Sequence, residues 1–160
     1  LKSMNKFYLV AIFIISSFIP SIAFGNVINK LNETGKFTKL NETLVKSGLL
    51  ESLKGDGPFT VFAPLDDAFA AISAKTYYGL LREENKKKLV NILGRHVFSK
   101  KLSSSDVNGE IKLAAINGEE ITIKKVNGII YINEAEVVTA DVEVSNGVIH
   151  FINRVLQPLK

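Results

Sequence analysis

The feature that most constrains the fold is a set of four Asn-Gly pairs in the second half of the chain. They are Asn108-Gly109, Asn117-Gly118, Asn127-Gly128 and Asn146-Gly147. Asn-Gly is a strong signal for a tight turn in which both central residues have positive φ. Short segments rich in β-branched residues separate the pairs, at 111–115, 121–126 and 129–132. The spacing predicts an antiparallel meander, with one face buried where Ile121 and Ile123 alternate with polar neighbours.

The first half of the chain has the periodicity of helices. One helix is predicted from an apolar stripe, with Gly48 placed as a left-handed C-cap. Its stripe consists of Phe37, Leu40, Leu44 and Val45. A short helix is predicted over 49–53, and a later one begins at Glu83-Glu84 and buries Leu89, Ile92 and Leu93. Helices followed by a meander indicate the α+β class.

A short stretch between these halves changes from strand chemistry to helix chemistry. Phe59 to Ala63 is an apolar run bounded by proline and glycine, which predicts a buried strand. Asp66 and Asp67 follow it. We expect their carboxylates to accept hydrogen bonds from the first turn of the next helix, where negative charge also suits the helix dipole.

Residues 1–25 have the order of a secretory signal peptide. A basic end at Lys6 precedes an apolar core, and small residues surround the expected cleavage points after Ala23 or Gly25. An uncleaved membrane anchor is the alternative. The apolar stretch over 7–19 is short for that role, because a membrane span needs about 20 apolar residues.

Cleavage would leave residues 26–160 as a single exported domain, extracellular, periplasmic or associated with the cell surface. Residues 1–3 precede the expected initiator Met4. The chain has a net charge of +4, and the signal holds two lysines and no acids, so the mature charge is +2. There is no cysteine, and a domain of this length buries enough surface to fold without a disulfide or a metal. No apolar tail follows Pro158, so we expect no C-terminal membrane anchor.

Two segments resemble the signature motifs of the fasciclin (FAS1) domain family. The first is Thr60-Val61-Phe62-Ala63-Pro64 with Phe69 shortly after it, and the second begins Asn146-Gly147-Val148-Ile149-His150. The resemblance covers roughly residues 26–160. It implies a β-sandwich wedge with a helical layer packed on one side and both motifs in the core. It also implies a secreted, non-enzymatic protein that mediates adhesion between cells, or attachment to matrix or surfaces.

His96 is the first candidate for a binding role. In the fasciclin family a Tyr-His pair stands at this position and is linked to integrin recognition in animal members, whereas here Arg95 replaces the tyrosine. The resemblance implies a contact surface around Arg95, His96 and Phe98, but the arginine removes any contact that depends on the tyrosine. The alternative is a core histidine whose ring nitrogen bonds to a backbone carbonyl or a hydroxyl, which would fix its tautomer.

No constellation in the sequence indicates catalysis. His150 lies in an apolar strand far from His96 in sequence, and neither has a third ligand at helical or turn spacing, so we expect no metal and no cofactor. The run Ser103-Ser104-Ser105-Asp106 lacks a nucleophile elbow and predicts a helix N-cap. Asp66 and Asp67 are adjacent, and adjacent helical residues point about 100° apart, so they do not share a proton.

Lysines are the other candidate contacts. They form a run at Lys86, Lys87 and Lys88 and pairs at 100–101 and 124–125. Solvated helix and strand faces explain them, and a patch for anionic polysaccharide or lipid headgroups is the alternative. Nucleic acid is not expected, because the mature charge is small and aromatic residues are not interleaved with the lysines. Asn32 and Asn41 begin glycosylation sequons that we expect on helix surfaces or caps.

Two functions remain open at this point. The first is an adhesion module that binds cell-surface or matrix proteins or polysaccharides through the helical layer near Arg95, His96, Phe98 and the lysine run. One domain with one modest face binds weakly, so attachment would need many copies or weak self-association. The second is a periplasmic or extracellular carrier or sensor of a small apolar ligand, held in a cleft between sheet and helices.

Overall fold

The computed structural model describes residues 24–157. Its helices are α1 (Val27–Thr34), α2 (Thr38–Ser47), α3 (Leu49–Ser52), α4 (Ala74–Leu80) and α5 (Lys86–Gly94). Its strands are β1 (Phe59–Pro64), β2 (Val97–Phe98), β3 (Glu110–Ala114), β4 (Glu120–Val126), β5 (Ile129–Ile132), β6 (Ala135–Val144) and β7 (Gly147–Ile152). Short 3₁₀ segments occur at Asp66–Ala71, Glu83–Asn85 and Ser104–Asp106. The predicted signal peptide up to Ala23 and the residues from Pro158 onward lie outside the described residues.

The strands form one seven-stranded sheet in the order β2-β1-β7-β6-β5-β4-β3. Strands β3 to β5 form the predicted antiparallel meander, which continues through β6 and β7, and the α+β class is confirmed. β1 pairs with β7 in parallel, with Val61 opposite Ile149, so the two signature segments lie side by side. Beyond β3, the Ile116 N–H donates to the Val97 carbonyl at 2.9 Å. This bond links the two ends of the sheet, which therefore nearly closes on itself.

The central strands β1 and β7 are buried on both faces. On one face Val61 and Ile149 pack against the helical layer, in a cluster that includes Phe37. On the other face Phe62 and Ile152 pack into the interior of the curved sheet. Because both faces are covered, these two strands are mainly apolar, whereas β3, β4 and β5 alternate between more buried and more exposed residues. No helix within residues 24–157 is both long enough and apolar enough to cross a membrane.

The helical layer differs from the prediction at two places. Phe37 and Leu44 are buried, but Val45 is 61% exposed, because it is turned about 100° around the helix from Leu44. Asp66 caps α2 and not its own segment, since its Oδ1 accepts a hydrogen bond from the Lys39 N–H at 2.9 Å. Phe37, at the N-cap position of α2, has no side-chain oxygen that could accept from the Lys39 N–H. Asp66, which is distant in sequence, accepts this hydrogen bond instead.

The turns also differ from the prediction. Only one of the four Asn-Gly pairs has both residues at positive φ, with Asn127 at 51° and Gly128 at 81°. This pair joins β4 to β5 directly, because Val126 is paired with Ile129. The prediction of that conformation at the other three pairs was wrong. Within the β6–β7 hairpin the two connecting residues are Ser145 and Asn146, so that Asn-Gly pair is displaced from the turn by one position.

Tertiary contacts explain this displacement. Asn146 is buried, and its Oδ1 accepts from the Val27 N–H at 3.0 Å. Its Nδ2 donates to the carbonyls of Leu53 and Gly55, both at 2.8 Å. One side chain thus ties the start of α1 and the end of the α3 region to the sheet. The next residue, Gly147, approaches β1 so closely that a Cβ would lie 1.9 Å from the Phe59 carbonyl oxygen, which only glycine allows.

Candidate functional site

His96 lies at the end of α5 and is only 2% exposed. Its Nε2 accepts a hydrogen bond from the Leu156 N–H at 2.9 Å, so the ring proton is on Nδ1, which donates to the Ile92 carbonyl at 2.8 Å. Burial lowers the pKa of His96 to about 4, so the ring is neutral near pH 7. Both ring nitrogens are therefore engaged by the backbone.

Arg95 is buried as well, at 1% exposure. Its Nε and Nη2 donate to the two carboxylate oxygens of Glu119 at 2.5 and 2.7 Å, and its Nη1 donates to the Leu156 carbonyl at 3.4 Å. The bond from Arg95 lowers the pKa of the Glu119 carboxyl. Arg95 and His96 together hold the carbonyl and the N–H of Leu156, and we call this arrangement the Leu156 clamp.

These positions correct the expected contact surface. Phe98 is 2% exposed and packs edge-on against Phe62, with ring centroids 5.6 Å apart. The side chains of Arg95, His96 and Phe98 therefore face the interior. Burial of Arg95 and His96 is tolerated because their polar atoms have hydrogen-bond partners inside the protein. They serve to position the segment around Leu156 and cannot touch a partner directly.

His150 is the second buried histidine. Its Nδ1 accepts from the Asp141 N–H at 3.0 Å, which places the proton on Nε2, and Nε2 donates to the Leu102 carbonyl at 2.7 Å. Asp141 stands at a register shift of β6 and has a φ of 61°, so its N–H lacks a strand partner and the ring supplies one. Burial lowers the pKa of His150. His150 thus supplies the acceptor that the Asp141 N–H lacks in the irregular part of β6. Both of its ring nitrogens are hydrogen-bonded, so neither is free for a ligand.

The remaining chemical candidates also have structural roles. Ser103 is the N-cap of the short turn Ser104–Asp106, as the sequence predicted, and Asp106 accepts a hydrogen bond from the Ser103 N–H at 2.8 Å. Asp141 accepts from both the N–H and the hydroxyl of Ser104. Burial acts to raise the pKa of Asp141, but these hydrogen bonds outweigh it and the pKa is lowered. Within residues 24–157 no group of three metal-ligating side chains comes together.

The sequons lie on helix surfaces, where they were expected. Asn32 is exposed on α1, and its Oδ1 accepts from the Asn41 side chain of α2 at 2.8 Å. Thr43, the third residue of the second sequon, is buried and donates to the Leu40 carbonyl. Asn41 is therefore committed to the contact between α1 and α2.

Lys86, Lys87 and Lys88 are exposed and occupy the first turn of α5. Lys86 lies 3.8 Å from Glu83, while Lys87 and Lys88 form no ion pair with any residue in 24–157. Positive charge is unfavourable at a helix N-terminus, so the three lysines destabilise this turn slightly. They point in directions about 100° apart around the exposed start of α5, and we refer to the three together as the lysine face.

A groove of about 1100 Å³ opens between the helical layer and the sheet. One wall comes from segment 67–76, and the other from the β5–β6 turn at 133–135 and the chain after β7 at 153–157. We call it the C-terminal groove. The sequence reasoning missed it because three distant segments form it. The one available signal was that the second signature segment continues with the polar residues Asn153, Arg154 and Gln157, which line the groove.

Comparison with known proteins agrees with this architecture. The model of the fasciclin domain family matches residues 35–158. Protein sll1483 of Synechocystis sp. is 47% identical over 128 residues, which cover 79% of this chain and 69% of that protein. The transforming growth factor-beta-induced protein ig-h3 of Sus scrofa is 34% identical over 134 residues, 84% of this chain but only 19% of that protein.

A solved structure shows the same fold. The FAS1 domain pair from the insect cell adhesion molecule fasciclin I matches with a TM-score of 0.73 and 22% identity, over 85% of this chain and 52% of that one. The wedge with its helical layer, expected from the two signature segments, is thus confirmed. The chain belongs to the fasciclin domain family.

Proposed function

We propose that this chain is an exported, non-enzymatic adhesion module that attaches cells to other cells, matrix or surfaces by binding proteins or polysaccharides. One observation carries the proposal: each ring nitrogen of both histidines is hydrogen-bonded to the chain's own backbone. The residues that could have performed acid–base chemistry therefore hold the fold together, and the surface is what the domain offers to other molecules. A related fold in an insect cell adhesion molecule supports the same role.

The contact surface of this module comprises the lysine face and the C-terminal groove. Lys87 and Lys88 have no ion pair among residues 24–157, so an anionic partner can pair with them, although Glu83 and Glu84 in the preceding turn already offset part of the positive charge at this helix end. Each exposed contact is worth little by itself. Useful attachment therefore requires many copies on one surface or weak self-association, so that effective concentration replaces single-site affinity.

An attachment assay tests the proposal. Beads coated with the domain, without residues 1–25, are washed over cells and over protein and polysaccharide matrices. We expect coated beads to be retained on at least one of these, and retention to fall severalfold when Lys86, Lys87 and Lys88 are replaced by serine. Retention should also fall as salt is raised, because exposed charges are screened.

A matched variant controls for net charge. Lys46, Lys75 and Lys112 are exposed on α2, α4 and β3 and have no ion pair among residues 24–157, so their replacement by serine removes the same charge elsewhere. This control should keep most of the retention. Retention no higher than that of uncoated beads on every cell and matrix tested would contradict the adhesion role.

The groove keeps the carrier function as a second candidate, since it lies where a cleft between sheet and helices was expected. Its lining includes Asp67, Glu134 and Arg154, so it suits a polar ligand better than an apolar one. Native mass spectrometry of the domain purified from its source tests this function. A bound small molecule lost on mild activation would support it, and a clean apo mass would remove it.

A further inference from the structure

The chain after β7 presents unused backbone groups to the C-terminal groove. The Asn153 N–H donates to the Glu136 carbonyl, and the Leu156 clamp holds both backbone groups of Leu156. Within residues 24–157 the N–H groups of Arg154, Val155 and Gln157 have no hydrogen-bond partner. Unpaired main-chain groups beside a groove are a template for pairing with another chain.

The clamp also sets the direction of these groups. The N–H and the carbonyl of Leu156 both point inward, to His96 and Arg95, which is the arrangement of a residue in an extended chain. Neighbouring residues in an extended chain direct their backbone groups to the opposite side. In that geometry the N–H groups of Val155 and Gln157 are directed away from the clamp, and both residues, like Leu156, line the groove.

Two side-chain amides add donors to the same site. The Oδ1 of Asn133 accepts from the Thr122 N–H at 3.2 Å, and the Oδ1 of Asn153 accepts from the Glu136 N–H at 2.9 Å. These bonds fix the orientation of both amides. Their Nδ2 groups have no partner in the described part of the chain and lie on the groove, where they can donate to carbonyl oxygens of a bound chain.

The opposite wall admits a main chain at close range. Ala68, Ala70 and Ala71 line it, and among residues 24–157 no aromatic side chain lines any wall. The groove is open and has a volume of about 1100 Å³, which leaves room for a short peptide segment. Two carboxylates, Asp67 and Glu134, and one guanidinium, Arg154, line the groove, so its charged groups sum to −1 and favour a positively charged side chain in the ligand.

We propose that the C-terminal groove binds an extended peptide segment of a partner protein, which pairs through its main chain with Val155 and Gln157. Recognition is by strand addition, in which main-chain hydrogen bonds supply affinity and the rim supplies the preference for a basic residue. The inference deepens the proposed function, because it assigns the protein partner of the adhesion module to this groove. The Leu156 clamp acts as a positioning device that keeps the pairing groups in place.

A library of random linear peptides displayed on phage tests the proposal with the domain as bait. We expect selected peptides to contain a basic residue and to bind Ala71→Trp about tenfold or more weakly, because the indole fills the groove. Ala71 is exposed, so the variant should fold, and Ala70→Trp serves as a second groove-filling variant. Ala74→Trp places the same side chain on an exposed alanine outside the lining and should bind normally.

Hydrogen exchange measures the main-chain pairing directly. A selected peptide should slow exchange at the Val155 and Gln157 amides. Alternate N–H groups of an added strand face the groove, so methylating every second peptide nitrogen should weaken binding for one of the two alternating sets and not for the other. If no peptide is selected, or if peptides bind equally to wild type and Ala71→Trp, the proposal is overturned. Equal effects of methylation in both registers would overturn strand addition.

Other occupants of the groove give different results. Polysaccharide binding that Ala71→Trp abolishes, with no peptide selected, would make the groove a glycan site. Self-association in sedimentation that Ala71→Trp abolishes would make a second copy the occupant. Both results overturn the partner peptide. Peptide binding in a domain that retains no beads would contradict the adhesion role and leave this inference standing, so the two failures are distinguishable.

Discussion

Lowering the pH from 7 to 4 should destabilise the domain through His96. The pKa of His96 is about 4 in the folded protein and 6.5 when the ring is solvated, so the unfolded chain binds the extra proton first. The stability that the neutral ring provides is complete above pH 6.5 and is lost as the pH falls toward 4. At about 1.4 kcal/mol for each tenfold change in proton affinity, the loss is roughly 3 kcal/mol.

Urea unfolding followed by circular dichroism at pH 7, 5.5 and 4 measures this loss. His96→Gln removes the titrating ring, so we expect the variant to be less stable at pH 7 but to lose about 3 kcal/mol less than wild type on acidification. His150→Gln is the matched control, because the pKa of His150 is also lowered but its removal leaves the contribution of His96 intact. Identical losses in wild type and His96→Gln, or an NMR titration of His96 with a pKa near 6.5, would refute the reasoning.

Three further predictions concern the packing, and urea unfolding at pH 7 checks each. Gly147→Ala should destabilise the domain by more than about 3 kcal/mol because its methyl group meets the backbone of β1, while Gly79→Ala, with open space in α4, should be neutral or stabilising. Glu119→Gln should cost about 1–2 kcal/mol by leaving Arg95 buried without its counter-charge, a loss that solvent at the half-exposed carboxylate site limits, and adding Arg95→Met should recover part of it. Asn146→Ala should cost about 2–4 kcal/mol, since it removes three buried hydrogen bonds; a loss below about 1 kcal/mol would contradict its role as a tie.

Local patterns were sufficient to predict most elements of the fold. The burial of Phe59 to Ala63, the helical stripe around Leu44 and the meander after Glu110 all follow from the periodicity of neighbouring residues. The parallel pairing of β1 with β7 could not be derived in this way, because it joins segments that are distant in sequence. It was expected only through the resemblance of both segments to one family.

The candidate site was harder to predict for the same reason. A charged residue such as Arg95 is normally exposed, and only the carboxylate of Glu119, brought in by the β3–β4 turn, makes its burial stable. The core role of His96 was open as an alternative, because a buried histidine commonly has its tautomer fixed by a hydrogen bond to a backbone carbonyl or a hydroxyl. The groove depends on how three segments are spaced in the folded chain and on the Leu156 clamp, which fixes one of its walls. Neither feature can be read from a local sequence pattern.

The central claim is that the domain meets its partners through the lysine face and the C-terminal groove, with Arg95 and His96 confined to the interior. Hydrogen exchange of the domain, free and bound to the matrix that retains it best, distinguishes these surfaces. Binding should slow exchange in the first turn of α5 and at Val155 and Gln157. Slower exchange confined to residues 95–98, with the groove and the lysine face unchanged, would contradict it.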